Sequence, residues 1–456
     1  MLFNSLDFWL FLPLVWVVWW WAREAKARQW VLLLSSYVFY GAWDVRFLGL
    51  IVLSTLVDYL VARNMPEEDH RRRYWLAISV VVNLGVLGLF KYVGFFVAEA
   101  RALFQIDSGD WALDWILPVG ISFYTFQTLG YTLDVYHRRI QPENSLLTFA
   151  TFVAFFPQLM AGPIERAKDL IPQLNTTRQP DLGGGFRLFL LGMVKKVVLS
   201  GTLAAYAEPL YMNAELRGTG VAWLMGLLMF LNVMLDFSGY SDMAVGLGKM
   251  FGVQLSQNFN RVLQSQGFPD FWRRWHITLG RWFKDYALPA LPFNRSLNYF
   301  VTFVLIGLWH GADWSYIAWG ALMGLMFLLE IRTQWSARIV AGLPWSWQVP
   351  TRATVTLVVV LWTCQLFPAH SLSDGWALMR SMIGWGPEQP LPFTPPPVAV
   401  WLALIGTLAV ERFAHVFSAP DNAHLRTLRD AVFVPWAILL CLEGLNATQE
   451  FVYFQF

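Results

Sequence analysis

A dozen apolar runs, joined by short loops rich in lysine and arginine, take up most of this chain of 456 residues. Lipid offers no partner to a backbone N–H or C=O, so repeated crossings have to be made by helices that satisfy their own backbone. Only 14% of the residues are charged and 56% are hydrophobic, whereas a soluble domain carries about 25% charged residues. A soluble chain of this size has too little interior to hide so much apolar surface. A soluble enzyme, a disordered chain and a fibrous protein are excluded, and an all-α polytopic membrane protein remains. The net charge of +2 argues against nucleic acid as a partner.

The runs fall at about 8–21, 31–43, 47–62, 75–97, 116–137, 186–210, 221–252, 297–311, 314–331, 353–367, 397–411 and 431–447. Several are shorter than the ~20 residues of a straight span, so interfacial aromatics, local thinning or burial must compensate. The first run is read as a retained span. It carries Asp7 and no basic residue ahead of its apolar core, and Trp19 to Trp21 stand where a cleavage site would need small residues. With the N-terminus outside, the inner loops hold 25 Lys and Arg and the outer ones four, a strong positive-inside bias. Both flanks of 145–161 are then inside, which makes that apolar, Pro157-interrupted segment re-entrant. A single membrane domain is expected, with N-terminal helices over 1–137, a catalytic core over 138–331 and C-terminal helices over 332–456.

Two polar concentrations stand out. LDFSGYSDMAVGLG holds Asp236, Ser238, Tyr240, Ser241 and Asp242 inside an apolar run. Intramembrane carboxylates mark function by default, although a helix break with satisfied polar groups explains them equally well. No G-x-S-x-G elbow surrounds Ser238 or Ser241, so neither reads as a nucleophile. The second concentration, 268–286, is drawn as one amphipathic helix at the inner interface. Phe271, Trp272, Trp275, Leu279, Trp282 and Tyr286 form its apolar stripe, and Arg273, Arg274, Arg281, Lys284 and Asp285 its charged face. That face either meets lipid headgroups or holds the phosphates of an acyl donor, such as coenzyme A or a carrier phosphopantetheine. His276 sits at the edge of the stripe, as a plain interfacial residue or a functional one.

His310 lies at the end of a span, among Trp309, Trp314 and Trp319. It reads either as a satisfied core histidine or as a neutral general base. Cys364 and Cys441 lie far apart in apolar runs and indicate neither a metal site nor a disulfide. No metal-ligand constellation is present. The Gly183–Gly185 triplet lacks the Gly-Lys-Ser/Thr of a phosphate loop.

LPVGISFYTFQTLGYTLDVY at 117–136, FFPQLMAGPI at 155–164, LDFSGYSDMAVGLG at 235–248, NFNR at 258–261, FWRRWHITL at 271–279, WHGADWSYIAWG at 309–320 and the terminal FVYFQF together resemble the membrane-bound O-acyltransferase family. The similarity runs along the whole chain. It is strongest to the bacterial branch of alginate O-acetylation and teichoic acid D-alanyl transfer, and FWRRWH and WHG are its most specific pieces. The resemblance implies a ring of about 11–12 transmembrane helices around a funnel, with His310 catalytic and His276 the second functional histidine. It implies an acyl thioester, acetyl-CoA or an acylated carrier, as a cytoplasmic substrate, with no bound cofactor. It further implies a bacterial inner-membrane location and a periplasmic SGNH-type acetyltransferase or polysaccharide-modification complex as partner.

Arg273, Arg274 and Lys284 are the expected donor-phosphate residues, with Tyr240, Asp236, Asp242, Trp309 and Trp314 as further candidates for the site. The expected reaction is O-acetylation of an exported polysaccharide such as alginate or cellulose. D-alanyl transfer and donor or polymer transport without chemistry are the alternatives. DYALPALPFNRS departs from the tyrosine-rich turn and Gly-Gly-Asn-Arg loop usual in this branch, and VLQSQGFPD lacks its Pro-Tyr. Both departures flank the cytoplasmic entry, so the donor is the least constrained part of the expectation.

Overall fold

Every regular element among the described residues is helical, as a lipid solvent demands. The computed structural model describes residues 1–105, 116–211, 218–386, 393–418 and 433–442. The terminal FVYFQF and most of the 412–430 loop lie outside them. The chain forms two compact units, Met1–Phe189 with Met243–Ser256, and Leu190–Asp242 with Gln257–Phe456.

The first unit opens with α1 (Leu6–Trp21), α2 (Ala25–Asp44), α3 (Leu48–Arg63), α4 (Asp69–Lys91) and α5 (Val93–Phe104). It continues through α6 (Ile121–Tyr136), α7 (Leu146–Ala154), α8 (Phe156–Leu159) and α9 (Ala167–Leu174) into α10 (Leu182–Met193). Polar side chains tie α3, α4 and α6 together. The buried Asp58 carboxylate accepts from Ser79, from Asn83 Nδ2 at 2.7 Å and from Thr132 Oγ1 at 2.8 Å. Such interhelical bonds act as glue where the hydrophobic effect between helices is weak.

The segment 145–161 consists of α7, a break at Phe155 and the single turn α8. Nine residues of α7 rise about 14 Å, roughly half the hydrocarbon thickness. Side chains close the break. Gln127 Nε2 and Gln158 Nε2 donate to the Phe152 carbonyl at 2.6 and 3.0 Å, and Phe156 N–H donates to Ser36 Oγ at 3.0 Å.

In the second unit α10 runs into a π-helical stretch, Val194–Ser200, then α11 (Gly201–Tyr211) and α12 (Thr219–Met250). After α12 come α13 (Phe268–Arg274), α14 (Ile277–Trp282), a π turn over Phe283–Ala287 and the short α15 (Leu288–Ala290). The remaining helices are α16 (Arg295–His310), α17 (Trp314–Thr333), α18 (Trp335–Val340), α19 (Trp345–Thr363), α20 (Leu372–Met382) and α21 (Val398–Ser418). The α16–α17 hairpin carries the WHG motif. Asn294 caps α16 through Leu297 N–H at 3.0 Å, and Asp313 caps α17 through Ser315 N–H at 2.7 Å. Gly307 and Gly320 bring the two backbones together, and a Cβ at Gly307 would overlap the Tyr316 carbonyl.

Six helical stretches of the described residues are long and apolar enough to cross a bilayer, so the chain is a multi-pass membrane protein. This is fewer than the twelve runs expected. Ala25–Arg63 counts once although it is broken near Asp44, and α1, α6 and α16 have 16 residues each. The continuous helix drawn over 268–286 is corrected. Trp275 is extended and His276 left-handed, which separates α13 from α14. A helical wheel presupposes unbroken periodicity and cannot register such a break.

Replacing Gly307 with Leu should destabilise the hairpin by more than the 1–3 kcal/mol typical of overpacking, because backbone is the obstacle. Gly85→Ala, where an added Cβ meets nothing within 4 Å, should leave the protein unchanged. Thermal unfolding in detergent compares the two.

Candidate active site

His310 is the last residue of α16 and is buried. A Cβ on the following Gly311 would collide with the Tyr316 ring, so only glycine lets the chain turn here. The His310 ring packs edge-on against Trp309, Trp319 and Phe367, with centroids at 4.9, 5.3 and 5.1 Å. The His276 ring lies 6.4 Å from that of His310 and 5.9 Å from Trp309. The two motif histidines, 34 residues apart in sequence, therefore share one buried aromatic surround. Burial pushes the His276 imidazole down to about 3, so it is neutral through the physiological range.

Two cavities flank this pair. One of about 30 Å³ is lined by His310 with Phe271, Trp275, Trp319, Cys364 and Phe367, among others. Its size suits one small group, and its lining is mostly apolar. The other, of about 550 Å³, is lined by Arg273, Arg281 and Lys284 together with Trp272, Tyr299 and Phe303. Trp272 on the large cavity and Trp319 on the small one meet at 6.0 Å. This indole pair forms a partition between a basic vestibule and the histidines.

Arg273 and Lys284, two of the expected donor-phosphate residues, line the larger cavity, and Arg281 joins them. Arg274 does not. Its Nε donates to Asp270 Oδ2 at 2.9 Å and it lines neither cavity. The i,i+4 spacing of Asp270 and Arg274 on α13 explains the pairing. Trp309 is buried beside both histidines, whereas Trp314 is half exposed at the start of α17. Tyr240 is buried in α12, outside the lining of both cavities.

Asp236 and Asp242 have a different explanation from donor binding. Lys196 is paired with Asp236, and Lys195 Nζ lies 2.6 Å from Asp242 Oδ2. Both lysines project from the π-helical stretch, whose widened turn is characteristic of functional regions. Sequence reasoning missed these two lysines as partners, although two cations inside an apolar run were the available signal. It also missed Asn258, whose side chain reaches His276. Removing one partner of a buried pair leaves an uncompensated charge. Asp236→Ala should therefore destabilise the protein by about 3–5 kcal/mol, and Asp236→Leu combined with Lys196→Met should recover most of that loss in thermal unfolding.

The model of the membrane-bound O-acyltransferase family matches residues 42–341. A probable alginate O-acetylase of Pseudomonas aeruginosa is 39% identical over 405 residues, 85% of this chain and 76% of the relative. A peptidoglycan O-acetyltransferase of Helicobacter pylori is 34% identical, covering 64% of this chain and 62% of the relative. A teichoic acid D-alanyltransferase of Bacillus subtilis is 27% identical, covering 53% and 65%.

Proposed function

We propose that this chain, which belongs to the membrane-bound O-acyltransferase family and is an O-acyltransferase, acetylates an exported polysaccharide of the alginate type. The observation that carries the reading is the placement of the WHG and RWH histidines side by side, behind a basic vestibule. In the bacterial inner membrane, with the N-terminus outside, an acetyl thioester enters the vestibule from the cytoplasm. Arg273, Arg281 and Lys284 meet its phosphates. Its acyl end passes the Trp272–Trp319 partition toward His310.

His310, neutral, accepts the proton of an attacking hydroxyl. The hydroxyl oxygen bonds to the carbonyl carbon, the carbon–sulfur bond breaks, and the departing thiolate takes up the proton. General base assistance of this kind supplies about 10²–10⁴-fold, and positioning supplies much of the rest. The hydroxyl belongs to the acceptor from which a periplasmic SGNH-type acetyltransferase carries the acetyl group onward to the polymer. D-alanyl transfer from a carrier stands second, supported by the more distant Bacillus subtilis relative.

Steady-state transfer in nanodiscs, with acetyl-CoA and a D-alanyl carrier as competing donors, tests both readings. His310→Ala should lower kcat by about 10²–10⁴-fold at normal protein yield. Lys284→Ala or Arg281→Ala should raise the donor KM by about 10–150-fold, the equivalent of 1.5–3 kcal/mol per charge-assisted contact. Arg274→Ala should leave that KM alone. An unchanged rate in His310→Ala removes the assigned role, and unchanged donor dependence in the basic variants makes the vestibule a headgroup-facing surface.

The shortness of α7 and the buried closure of its break support re-entry of 145–161. Cysteines placed at Glu143 and Arg166, with Cys364 and Cys441 replaced, should both be labelled from the cytoplasmic side. Labelling from opposite sides refutes re-entry.

A further inference from the structure

His276 adopts φ 42° and ψ 52°, a left-handed conformation that costs a non-glycine residue free energy and persists only when its surroundings impose it. The imposing residues are in NFNR. Asn258 C=O accepts from Ile277 N–H at 2.9 Å, and Asn260 N–H donates to the Arg274 carbonyl at 2.9 Å. These bonds bracket Trp275 and His276. His276 stands at the cap position of α14 but makes no capping bond through its own side chain. Asn258 supplies the cap from outside the helix. Its Oδ1 accepts from Thr278 N–H at 3.1 Å and from the Thr278 hydroxyl at 3.0 Å.

The same oxygen lies 3.3 Å from His276 Nδ1. A backbone N–H can only donate, so the amide atom facing Thr278 N–H is the oxygen and the orientation of the amide is determined. An amide oxygen cannot donate, so the hydrogen of this bond belongs to Nδ1. A neutral imidazole carries one N–H, which leaves the lone pair on Nε2. Asn258 Nδ2 donates in turn to Ser241 Oγ at 3.3 Å, which draws the LDFSGYSD segment into the same chain of bonds.

We propose that Asn258 is the positioning residue of the acyl-transfer site, holding His276 as the Nδ1–H tautomer so that Nε2 acts only as an acceptor. His276 then aligns an O–H or N–H of the acceptor. It cannot serve as an N–H donor to an oxyanion. The described rings packed on it include Phe237, Phe259, Trp309 and His310, and of these four His310 titrates. Burial is the largest cause that keeps His276 neutral. The catalytic consequence rests on the reading of His276 given above, whereas the tautomer does not.

The test uses the full chain labelled with ¹⁵N-histidine in nanodiscs, with the His276 resonances assigned by comparison with His276→Gln. Nδ1 should be the protonated nitrogen in the wild type and in Asn258→Asp, and Asn258→Leu should lose this preference. Asn258→Leu should lower kcat by roughly 10–100-fold, the scale seen when the partner orienting a functional imidazole is removed. Its donor KM should stay within about twofold, since no transition-state-independent contact is lost.

Asn258→Asp keeps the acceptor oxygen but adds a negative charge, which favours the imidazolium. Activity needs the neutral ring, so a raised pKa should move the acid limb of the rate profile to higher pH. A wild-type His276 protonated on Nε2 overturns the proposal whatever the rates are. So does an unchanged kcat per folded Asn258→Leu molecule. Should that variant fail to fold, the wild-type tautomer and the Asn258→Asp acid limb decide alone. A normal rate in His276→Gln, with the Nδ1–H tautomer present in the wild type, instead refutes the role given to His276, and with it the catalytic consequence, while the tautomer imposed by Asn258 stands.

Discussion

Hydrocarbon supplies no hydrogen-bond partner, so wherever a helix of this chain breaks, other parts of the chain must take over the released backbone groups. The breaks that matter are closed by named side chains. At Phe155 the carbonyl of Phe152 receives Gln127 and Gln158, and Ser36 receives Phe156 N–H. At Trp275–His276 the stretch 258–260 supplies backbone partners and Asn258 supplies a cap. The motifs FFPQLMAGPI and NFNR are therefore parts of the chain's solution to a solvation problem. The second break also presents a histidine that an unbroken helix would have aimed elsewhere.

Charge is handled with the same economy. Asp236 and Asp242 lie in an apolar helix because Lys196 and Lys195 face them from the π-helical stretch. A buried pair is often no more stable than a hydrophobic replacement, but half of one is far worse. Asp58 has no lysine or arginine among its described hydrogen-bond partners. It is held by Ser79, Asn83 and Thr132, which fasten three helices of the first unit together. Arg273, Arg281 and Lys284 line the vestibule, and Arg273 also lies 3.6 Å from Asp270 Oδ1.

In the proposed reading the site separates recognition from chemistry. A polar thioester head and a small acyl group need opposite surroundings, a solvated cationic surface and a dry pocket. The larger cavity has the cationic lining and the small histidine cavity the mostly apolar one, and Trp272 of the first touches Trp319 of the second. A neutral histidine in a dry pocket keeps its basic nitrogen available.

The sequence by itself determined the solvent, the fold class and the two histidines. Apolar runs leave no alternative to helices in lipid, and FWRRWH with WHG carries the family resemblance in local residues that need no partner to be recognised. Only the tertiary structure decided how the histidines are placed. Periodicity drew one helix through 268–286 because a wheel counts residues and cannot see a backbone bond from Asn258. Lys195 and Lys196 were visible as letters, but their pairing with Asp242 and Asp236 spans some 40 residues and exists only once α12 lies beside the π-helical stretch. Hydropathy and motif are properties of neighbours in sequence. A tautomer, a cap supplied from another segment and a buried ion pair depend on distances of about 3 Å between residues far apart in the chain, and those distances exist only after folding.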